Sequence, residues 1–259
     1  MKRYSISVAL NILAIHAHPD DIEIVAGGTV LSLIERGHRV TIATMTAGDC
    51  GTAEYSPDEI ARIRRAEAAE AARLAGADYL CAEFMDLAVF SDDESRRRVT
   101  DVLRRTQPDV VLTASPVDYH CDHEATSALV RDACFGAPAP NYRTGGDAPP
   151  LKAIPHLYFC DPDEGLDREG NEVRPQFVVN VERHVERKAE MLACHASQRN
   201  WLKKHHGMDN YIDTLYEWTR NRGKLAGLQW GEGFRQYLCH PYPRTPLLQE
   251  LLGDQVAKL

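Results

Sequence analysis

The chain has 259 residues, of which 44% are hydrophobic and 26% charged, and its formal net charge at pH 7 is −8. This length and balance are typical of a globular protein with one sizeable core, so we expect a single domain over residues 1–259. The negative charge, without a basic stripe of interleaved aromatic residues, argues against a nucleic-acid partner. No run approaches the roughly 18 apolar residues of a spanning helix, so we expect no membrane insertion.

Cysteine usage and the first residues bear on the cellular compartment. The seven cysteines are scattered, odd in number and free of C-x-x-C pairs. That pattern suits a reducing environment and gives no zinc-finger spacing. Residues 1–13 contain no apolar region that ends in a small-residue cleavage site. The sequence therefore predicts a cytoplasmic protein.

Strand-like apolar runs alternate with helix-like runs along most of the chain. Predicted strands lie near residues 11–17, 39–45, 79–84, 109–114, 154–160 and 177–181, and predicted helices near 24–36, 57–75, 93–106 and 124–136. Such alternation implies right-handed crossovers and a mainly parallel sheet covered on both faces, which is a Rossmann-like three-layer α/β sandwich. Residues 161–170 are expected to form a turn between strands. The aromatic-rich segment over residues ~200–259 predicts a C-terminal helical extension that forms a lid or a contact in a homo-oligomer.

A histidine and two aspartates follow the first predicted strand. The run N-I-L-A-I-H-A ends at H-P-D-D, which places His18, Asp20 and Asp21 where the strand gives way to a helix. His18 and Asp21 are three residues apart and can turn toward one point, which would make half of a zinc site. A second interpretation is that Asp20 and Asp21 cap the helix, because aspartates near a helix N-terminus accept its free N–H groups.

A second polar cluster follows the predicted strand at 109–114. The run D-Y-H-C-D-H, from Asp118 to His123, again lies between a strand and a helix. In a parallel sheet both loops emerge at the same edge, so they can converge. A catalytic zinc needs three protein ligands and one open position, and His18, Asp21 and one histidine of the second loop satisfy that count.

Together these segments resemble the PIG-L/LmbE-like family of zinc-dependent N-deacetylases. The resemblance rests on A-H-P-D-D-x-E and the downstream D-x-H-x-D-H, and it extends to T-A-G-D-C-G at 46–51, an R-x-x-E helix at 63–76 and K-A-E-M-L-A-C-H-A-S-Q at 188–198. It covers residues ~11 to ~200 and implies one LmbE-like deacetylase domain. Family members remove acetyl groups from N-acetylglucosaminyl compounds, which implies a small amino-sugar substrate of the GlcNAc type.

Carried over residue by residue, the resemblance implies that zinc is held by His18, Asp21 and His123. It implies Asp20 as the general base for a zinc-bound water. His120 would face the developing oxyanion, and Asp122 would orient His120. A site with two histidines and one aspartate also accepts Fe²⁺.

Two further residues match family positions near the substrate. Arg64 matches an arginine that would contact the sugar or its aglycone, although a solvated arginine on a helix face is the alternative. Asp86 matches an aspartate near the sugar hydroxyls, although a loop aspartate needs no function. Cys121 departs from the family pattern, which has proline at this position, and puts a thiol close to the metal.

Two other functions fit parts of the sequence. A cysteine hydrolase could use Cys121 with His120 or His123, but it leaves the first cluster without a role. A non-catalytic Rossmann-type nucleotide-binding module would explain the α/β alternation. It lacks the G-x-G-x-x-G turn, and the two aspartates of the first loop would repel a pyrophosphate.

Overall fold

The structure is a computed structural model that describes residues 8–207 and 210–259. Its strands are β1 (Asn11–His16), β2 (Arg39–Thr46), β3 (Asp78–Phe84), β4 (Val110–Thr113), β5 (His156–Cys160), β6 (Phe177–Asn180), β7 (Gly231–Gln236) and β8 (Val256–Lys258). Its α-helices are α1 (Asp21–Glu35), α2 (Pro57–Ala75), α3 (Asp93–Thr106), α4 (Cys121–Gly136), α5 (Val185–Ala193), α6 (Ala196–His206), α7 (Tyr211–Lys224) and α8 (Leu247–Leu252). Short 3₁₀ helices lie at Asp163–Gly165 and Gly253–Gln255.

The strands form one eight-stranded sheet in the order β3-β2-β1-β4-β5-β7-β6-β8. The first five strands pair in parallel, with Ile12 of β1 opposite Val40 of β2 on one side and Val110 of β4 on the other. β7 runs antiparallel to both β5 and β6, and β8 closes the edge antiparallel to β6. The predicted three-layer α/β fold with a mainly parallel sheet is confirmed.

Both faces of the sheet are buried because successive side chains of a strand point to opposite sides. In β1, Ile12 and Ala14 join one core cluster, which includes residues of α1, α2 and α5. Leu13 and Ile15 join a second cluster with residues of α3 and α4. This double burial explains why β1 reads as a continuous apolar run.

The helix over residues 57–75 begins and ends where local sequence signals place it. The Ser56 side chain accepts a hydrogen bond from the Glu59 N–H, and the Glu59 carboxylate accepts one from the Ser56 N–H, which completes a capping box. Pro57 occupies the first helical turn. Gly76 ends the helix with φ of 85°, a left-handed conformation that favours glycine.

The structure differs from the predictions in the last third of the chain. β7 lies between β5 and β6, so residues ~200–259 supply an interior strand of the sheet as well as the predicted helices. The run at 188–198 is two helices, because α5 ends at Ala193 and α6 begins at Ala196. Non-helical φ and ψ at His195 interrupt them, and its buried ring lies 3.2 Å from Glu23 Oε1. Within the described residues, every helix is too short or too polar to cross a bilayer.

Candidate active site

The topology brings the two polar loops together. From β1 the sheet extends one way to β2 and β3 and the other way to β4 and β5, so the strand order reverses between β1 and β4. Loops that follow adjacent parallel strands on either side of such a reversal diverge and leave a crevice at the carboxyl ends of the strands. Residues 17–20 and 114–120 are these two loops.

Both loops feed directly into helices that begin earlier than predicted. α1 starts at Asp21, and α4 starts at Cys121 with His120 at its N-cap position. Asp20 occupies the N-cap position of α1, but its side chain makes no capping hydrogen bond, and its φ of 101° is unusual for a non-glycine residue. The capping interpretation of Asp20 is therefore wrong, and a backbone conformation that is strained for a non-glycine residue sets the position of its carboxylate.

Three donor atoms form a nearly equilateral triangle at the centre of the site. His18 Nδ1 lies 3.3 Å from His123 Nε2 and 3.4 Å from Asp21 Oδ2, and the third side, between His123 Nε2 and Asp21 Oδ2, is 3.5 Å. Zinc bonds of about 2.0–2.1 Å at tetrahedral angles would separate two ligand atoms by roughly 3.3–3.4 Å. The donor set and its spacing fit one divalent ion.

The far nitrogen of each triangle histidine faces a carboxylate. His18 Nε2 lies 3.3 Å from Asp122 Oδ2, and His123 Nδ1 lies 3.0 Å from Asp118 Oδ1. A carboxylate there keeps a proton on the far nitrogen and leaves the near nitrogen free to bind a metal. Asp118, whose role the sequence left open, thus has a position that orients His123.

His16 approaches the triangle from inside β1. Its Nδ1 lies 2.6 Å from Asp21 Oδ2, and its side chain is buried. Asp21 Oδ2 also accepts the His18 N–H at 2.7 Å. His16 is therefore a core histidine that fixes the Asp21 carboxylate.

The Asp122 carboxylate has different partners from those predicted. Besides His18, it accepts the N–H groups of Leu87, at 2.7 Å, and Val89, at 3.4 Å. His120 contacts the backbone of Asp122, because its Nδ1 accepts the Asp122 N–H at 3.2 Å. The sequence predicted that the Asp122 carboxylate orients His120. The structure instead has a contact between the His120 ring and the Asp122 N–H, because His120 is the N-cap residue of α4.

The charge state of the triangle follows from its carboxylates. Burial alone would lower the pKa of His18, but hydrogen bonds to Asp122 and Asp21 outweigh it and raise the pKa to about 10. Burial would likewise lower the pKa of His123, but Asp21 and Asp118 outweigh it and raise the pKa to about 9. Burial would raise the pKa of Asp21, yet the charges of His16 and His123 hold it well below its usual value. The centre therefore favours positive charge, which a bound cation would also supply.

His120 lies beside the triangle in surroundings that favour its neutral form. Its ring is 4.7 Å from that of His18, centroid to centroid. Burial and then the charges of His18 and His123 lower its pKa. Because Nδ1 accepts a backbone N–H, the proton of the neutral ring lies on Nε2. His120 can therefore donate a hydrogen bond without carrying a charge.

Asp20 is held by two residues from distant elements. The hydroxyl of Tyr211, at the start of α7, donates to Asp20 Oδ2, and Arg64 Nη2 lies 3.9 Å from Asp20 Oδ1. All three side chains are buried. Burial raises the pKa of Asp20, and Arg64 partly opposes the rise. Tyr211 carries no sequence signal that marks it as a site residue, because its partner is 191 positions away.

Arg64 is buried, which excludes the solvated alternative for this residue. Its guanidinium donates to the carbonyl oxygens of Pro19 at 3.1 Å and Gly48 at 3.4 Å. Gly48 has φ of 74°, and a Cβ at Gly48 or Gly51 would overlap the guanidinium. The glycines of the 46–51 loop are thus required for close approach to Arg64, which ties that loop to the first polar loop.

Asp86 lies at the rim of the same site. Its Oδ2 accepts the Cys50 N–H at 3.0 Å, while Oδ1 is buried without a hydrogen-bond partner in the described part of the chain. Both Asp86 and Arg64 line a cavity of about 930 Å³ above the triangle. The structure therefore brings together all the predicted site residues except Asp122, whose carboxylate lies behind His18.

Other walls of the cavity come from segments to which the sequence gave no site role. Asp163, Glu164 and Arg168 line it from the segment predicted to be only a turn. Desolvation raises the pKa of the half-buried Asp163 to about 8. α6 and α7 contribute Trp201 and Trp218, among others.

Cys121 is exposed and outside this cavity wall. Its Sγ lies 3.8 Å from Asp122 Oδ1. A nitrogen of His120 lies within 4.8 Å of this sulfur, but the thiol does not line the cavity in which a substrate would bind. The arrangement does not favour Cys121 as a nucleophile.

Comparison with known proteins assigns the part of the chain that carries both loops to a protein family. Residues 13–134 match the family described as PIG-L, GlcNAc-PI de-N-acetylase. The chain contains a PIG-L family domain. This domain spans β1 to α4, and so it includes the triangle, Asp20 and His120.

Relatives of this chain extend the similarity beyond that domain. A diacetylchitobiose deacetylase of Thermococcus kodakarensis is 27% identical over 241 residues, which cover 86% of this chain and 82% of the relative. The solved structure of N,N'-diacetylchitobiose deacetylase from Pyrococcus horikoshii, in complex with an inhibitor, superposes with a TM-score of 0.75 at 28% identity, covering 92% of this chain and 89% of that one. A 4-oxalmesaconate hydratase of Pseudomonas putida is also 27% identical, over 73% of this chain and 74% of its own.

Proposed function

We propose that this PIG-L protein is a zinc-dependent N-deacetylase, which removes the acetyl group from an N-acetylated amino sugar of the GlcNAc type. The observation that carries the proposal is the triangle of His18, Asp21 and His123, whose sides of 3.3 to 3.5 Å suit one tetrahedral ion. The deacetylase names of the Thermococcus and Pyrococcus relatives support the reaction class.

The neighbours of the triangle support a role for each remaining side chain. A zinc ion held by the three ligands would polarise the amide carbonyl and lower the pKa of water at the open position. Asp20 would take the proton of the attacking water and deliver it to the leaving amine. His120 would donate its Nε2–H to the oxygen that gains negative charge. Asp86 would accept a sugar hydroxyl at Oδ1, and Arg64 would position the loop of Asp20.

Two other reactions are less well supported. The Pseudomonas relative is named as a hydratase, so the fold at this level of identity does not by itself define the reaction. A cysteine hydrolase would require Cys121 to face the cavity, which it does not line. Under the proposal, treatment with a chelator abolishes activity and Zn²⁺ restores it, with Fe²⁺ as the second ion to test. A cysteine enzyme would keep its activity without metal.

The decisive experiment is to screen the zinc-loaded protein against N-acetylglucosamine conjugates and chitooligosaccharides for release of a primary amine. Asp20→Ala should retain zinc and lose turnover by about 100-fold or more, as expected when a general base is removed. His123→Ala should lose the metal on elemental analysis. His184→Ala is the control, because this half-buried histidine pairs with Glu35 and does not line the cavity.

Normal turnover by Asp20→Ala would end the assignment of the base, and full zinc content in His123→Ala would show that the wrong ligand was chosen. If no conjugate releases an amine and the protein hydrates an unsaturated carboxylate, the deacetylase proposal is wrong and the protein is a hydratase. The seven free cysteines are compatible with the cytoplasmic location that we propose. A homo-oligomer stays a prediction, and light scattering of the purified protein tests it.

A further inference from the structure

The rim of the cavity carries apolar side chains held out in solvent. Leu87 is 60% exposed and Tyr119 is 68% exposed, and both line the cavity. Leu87 has φ of 61°, a left-handed backbone conformation that strains a bulky residue. The Leu87 N–H donates to the Asp122 carboxylate at 2.7 Å, which fixes this conformation. A strained backbone that keeps an apolar side chain exposed at the rim of a cavity indicates that this side chain contacts a ligand.

The C-terminal helices line the same cavity with apolar side chains. α6 contributes Trp201 and Leu202, and α7 contributes Leu215 and Trp218. Aromatic faces of this kind stack on the apolar faces of sugar rings and on alkyl chains. Leu166, from the segment after β5, also lines the cavity.

The cations of the cavity wall are already engaged. Apart from the histidines, the described residues that line the cavity include two cationic side chains, Arg64 and Arg168. Arg64 is buried and donates to two backbone carbonyl groups. Arg168 forms an ion pair with Glu124. An anionic group outside the metal centre would therefore meet cations on these walls whose charge is already buried or paired with a carboxylate.

Carboxylates lie on the wall that Arg168 shares. Glu164 is exposed, and it has neither a hydrogen bond nor an ion pair to its side chain within the described residues. Asp167 accepts the N–H groups of Glu169 and Asn171, and these hydrogen bonds lower its pKa, so it is anionic at neutral pH. Like charges in a partly desolvated cavity repel, which disfavours an anionic ligand here.

We propose that the cavity binds an amino sugar whose aglycone is uncharged and presents an apolar face, and that it discriminates against anionic aglycones. Leu87, Tyr119 and the tryptophans of α6 and α7 form the apolar subsite, and Glu164 is the main determinant against negative charge. This inference rests on the proposed deacetylase function and narrows its substrate.

Three glycosides of N-acetylglucosamine separate apolar contact from charge. They are the methyl glycoside, the octyl glycoside below its micelle concentration, and a glycoside of the same chain length as the octyl one that ends in a carboxylate. We expect kcat/KM for the octyl compound to exceed that for the methyl compound about 10-fold or more, as burial of two or three CH₂ groups at ~0.8 kcal/mol each implies. The terminal carboxylate should reduce kcat/KM at least 5-fold relative to the octyl compound. A 5-fold reduction is about the effect expected from repulsion between one pair of like charges.

Two pairs of matched variants assign the selectivity to residues. Leu87→Asn should bring the octyl-to-methyl ratio close to one, whereas Phe90→Asn, at a residue 62% exposed in the same loop but outside the cavity wall, should leave the ratio unchanged. Glu164→Lys should raise the rate for the carboxylate compound relative to the octyl compound. Glu169→Lys makes the same charge change in the same segment outside the wall and should have little effect.

Equal or faster turnover of the carboxylate compound, or an octyl-to-methyl ratio near one in the wild type, would overturn the inference. If the wild type releases no amine from the three glycosides or from the chitooligosaccharides, the proposed function fails. Calorimetric titration with the octyl and carboxylate glycosides then still tests the subsite, because the inference requires tighter binding of the octyl compound.

Discussion

Replacing Lys188 with methionine removes the counter-charge of a buried carboxylate. Lys188 is fully buried, and Glu232 is 2% exposed. Lys188 Nζ lies 2.8 Å from Glu232 Oε1 and donates to Thr219 Oγ1 at 2.9 Å. The two oxygens of Glu232 also accept the N–H groups of Gly28 and Thr29, both at 2.8 Å. The pair therefore joins α5, α7 and β7 to the middle of α1.

The expected destabilisation follows from this geometry. Removal of one partner of a buried ion pair costs about 3–5 kcal/mol, because the other charge stays buried without compensation. The two backbone N–H groups still hold Glu232, so we expect the lower end, about 3 kcal/mol. Methionine has a similar length and retains the packing of the lysine stem beside Gly27. For a chain of this size the loss corresponds to roughly 6–12 °C in Tm.

Urea titration of the wild type and of Lys188→Met measures this loss. The double variant Lys188→Met with Glu232→Gln is the control, because a neutral amide still accepts one of the backbone N–H groups. We expect the double variant to recover about 1–2 kcal/mol of the loss. A loss under about 1 kcal/mol in the single variant, or a double variant no more stable than the single one, would refute the argument that the charge pair is responsible.

Three further predictions concern single side chains. Tyr211→Phe removes a buried hydrogen bond to the Asp20 carboxylate, which is worth about 1.5–3 kcal/mol. We therefore expect kcat to fall roughly 10- to 100-fold while KM and zinc content are retained. A kcat within two-fold of wild type would contradict this prediction. Burial raises the pKa of Asp161 to about 6, so the folded state is stabilised below pH ~4 and loses that stability as pH rises through 6. The stability of Asp161→Asn relative to wild type should therefore increase by up to about 3 kcal/mol between pH 4 and pH 7 in urea titrations, and a pH-independent difference would show that Asp161 is not the group responsible. Cys121→Ser should keep wild-type kcat, and loss of turnover in this variant would favour the cysteine hydrolase.

Several parts of the site could be predicted because they are encoded over short stretches. His18, Asp20 and Asp21 follow one apolar strand, and Asp118 to His123 follow another. The convergence of the two loops follows from the parallel order of β1 and β4. The exact helix starts were missed, because the first turns of α1 and α4 hold the site residues themselves and carry few apolar positions.

Other parts depend on contacts between residues far apart in the chain. Periodicity in the sequence does not encode the distances that select these contacts. They include the place of His123 in the triangle, the partners of Asp122 and Asp118, and the contact of Tyr211 with Asp20. Asp163 and Glu164 lie in what the sequence presents only as a turn.

The sequence by itself determined the alternation of strands and helices, the placement of both polar loops at strand ends, and the family resemblance. Tertiary structure decided which strands are neighbours, that β7 enters the sheet between β5 and β6, and which side chains form the walls of the cavity. The physical reason is that burial periodicity and helix capping act over a few residues. The partners of a buried charge, by contrast, are selected only when the whole chain packs.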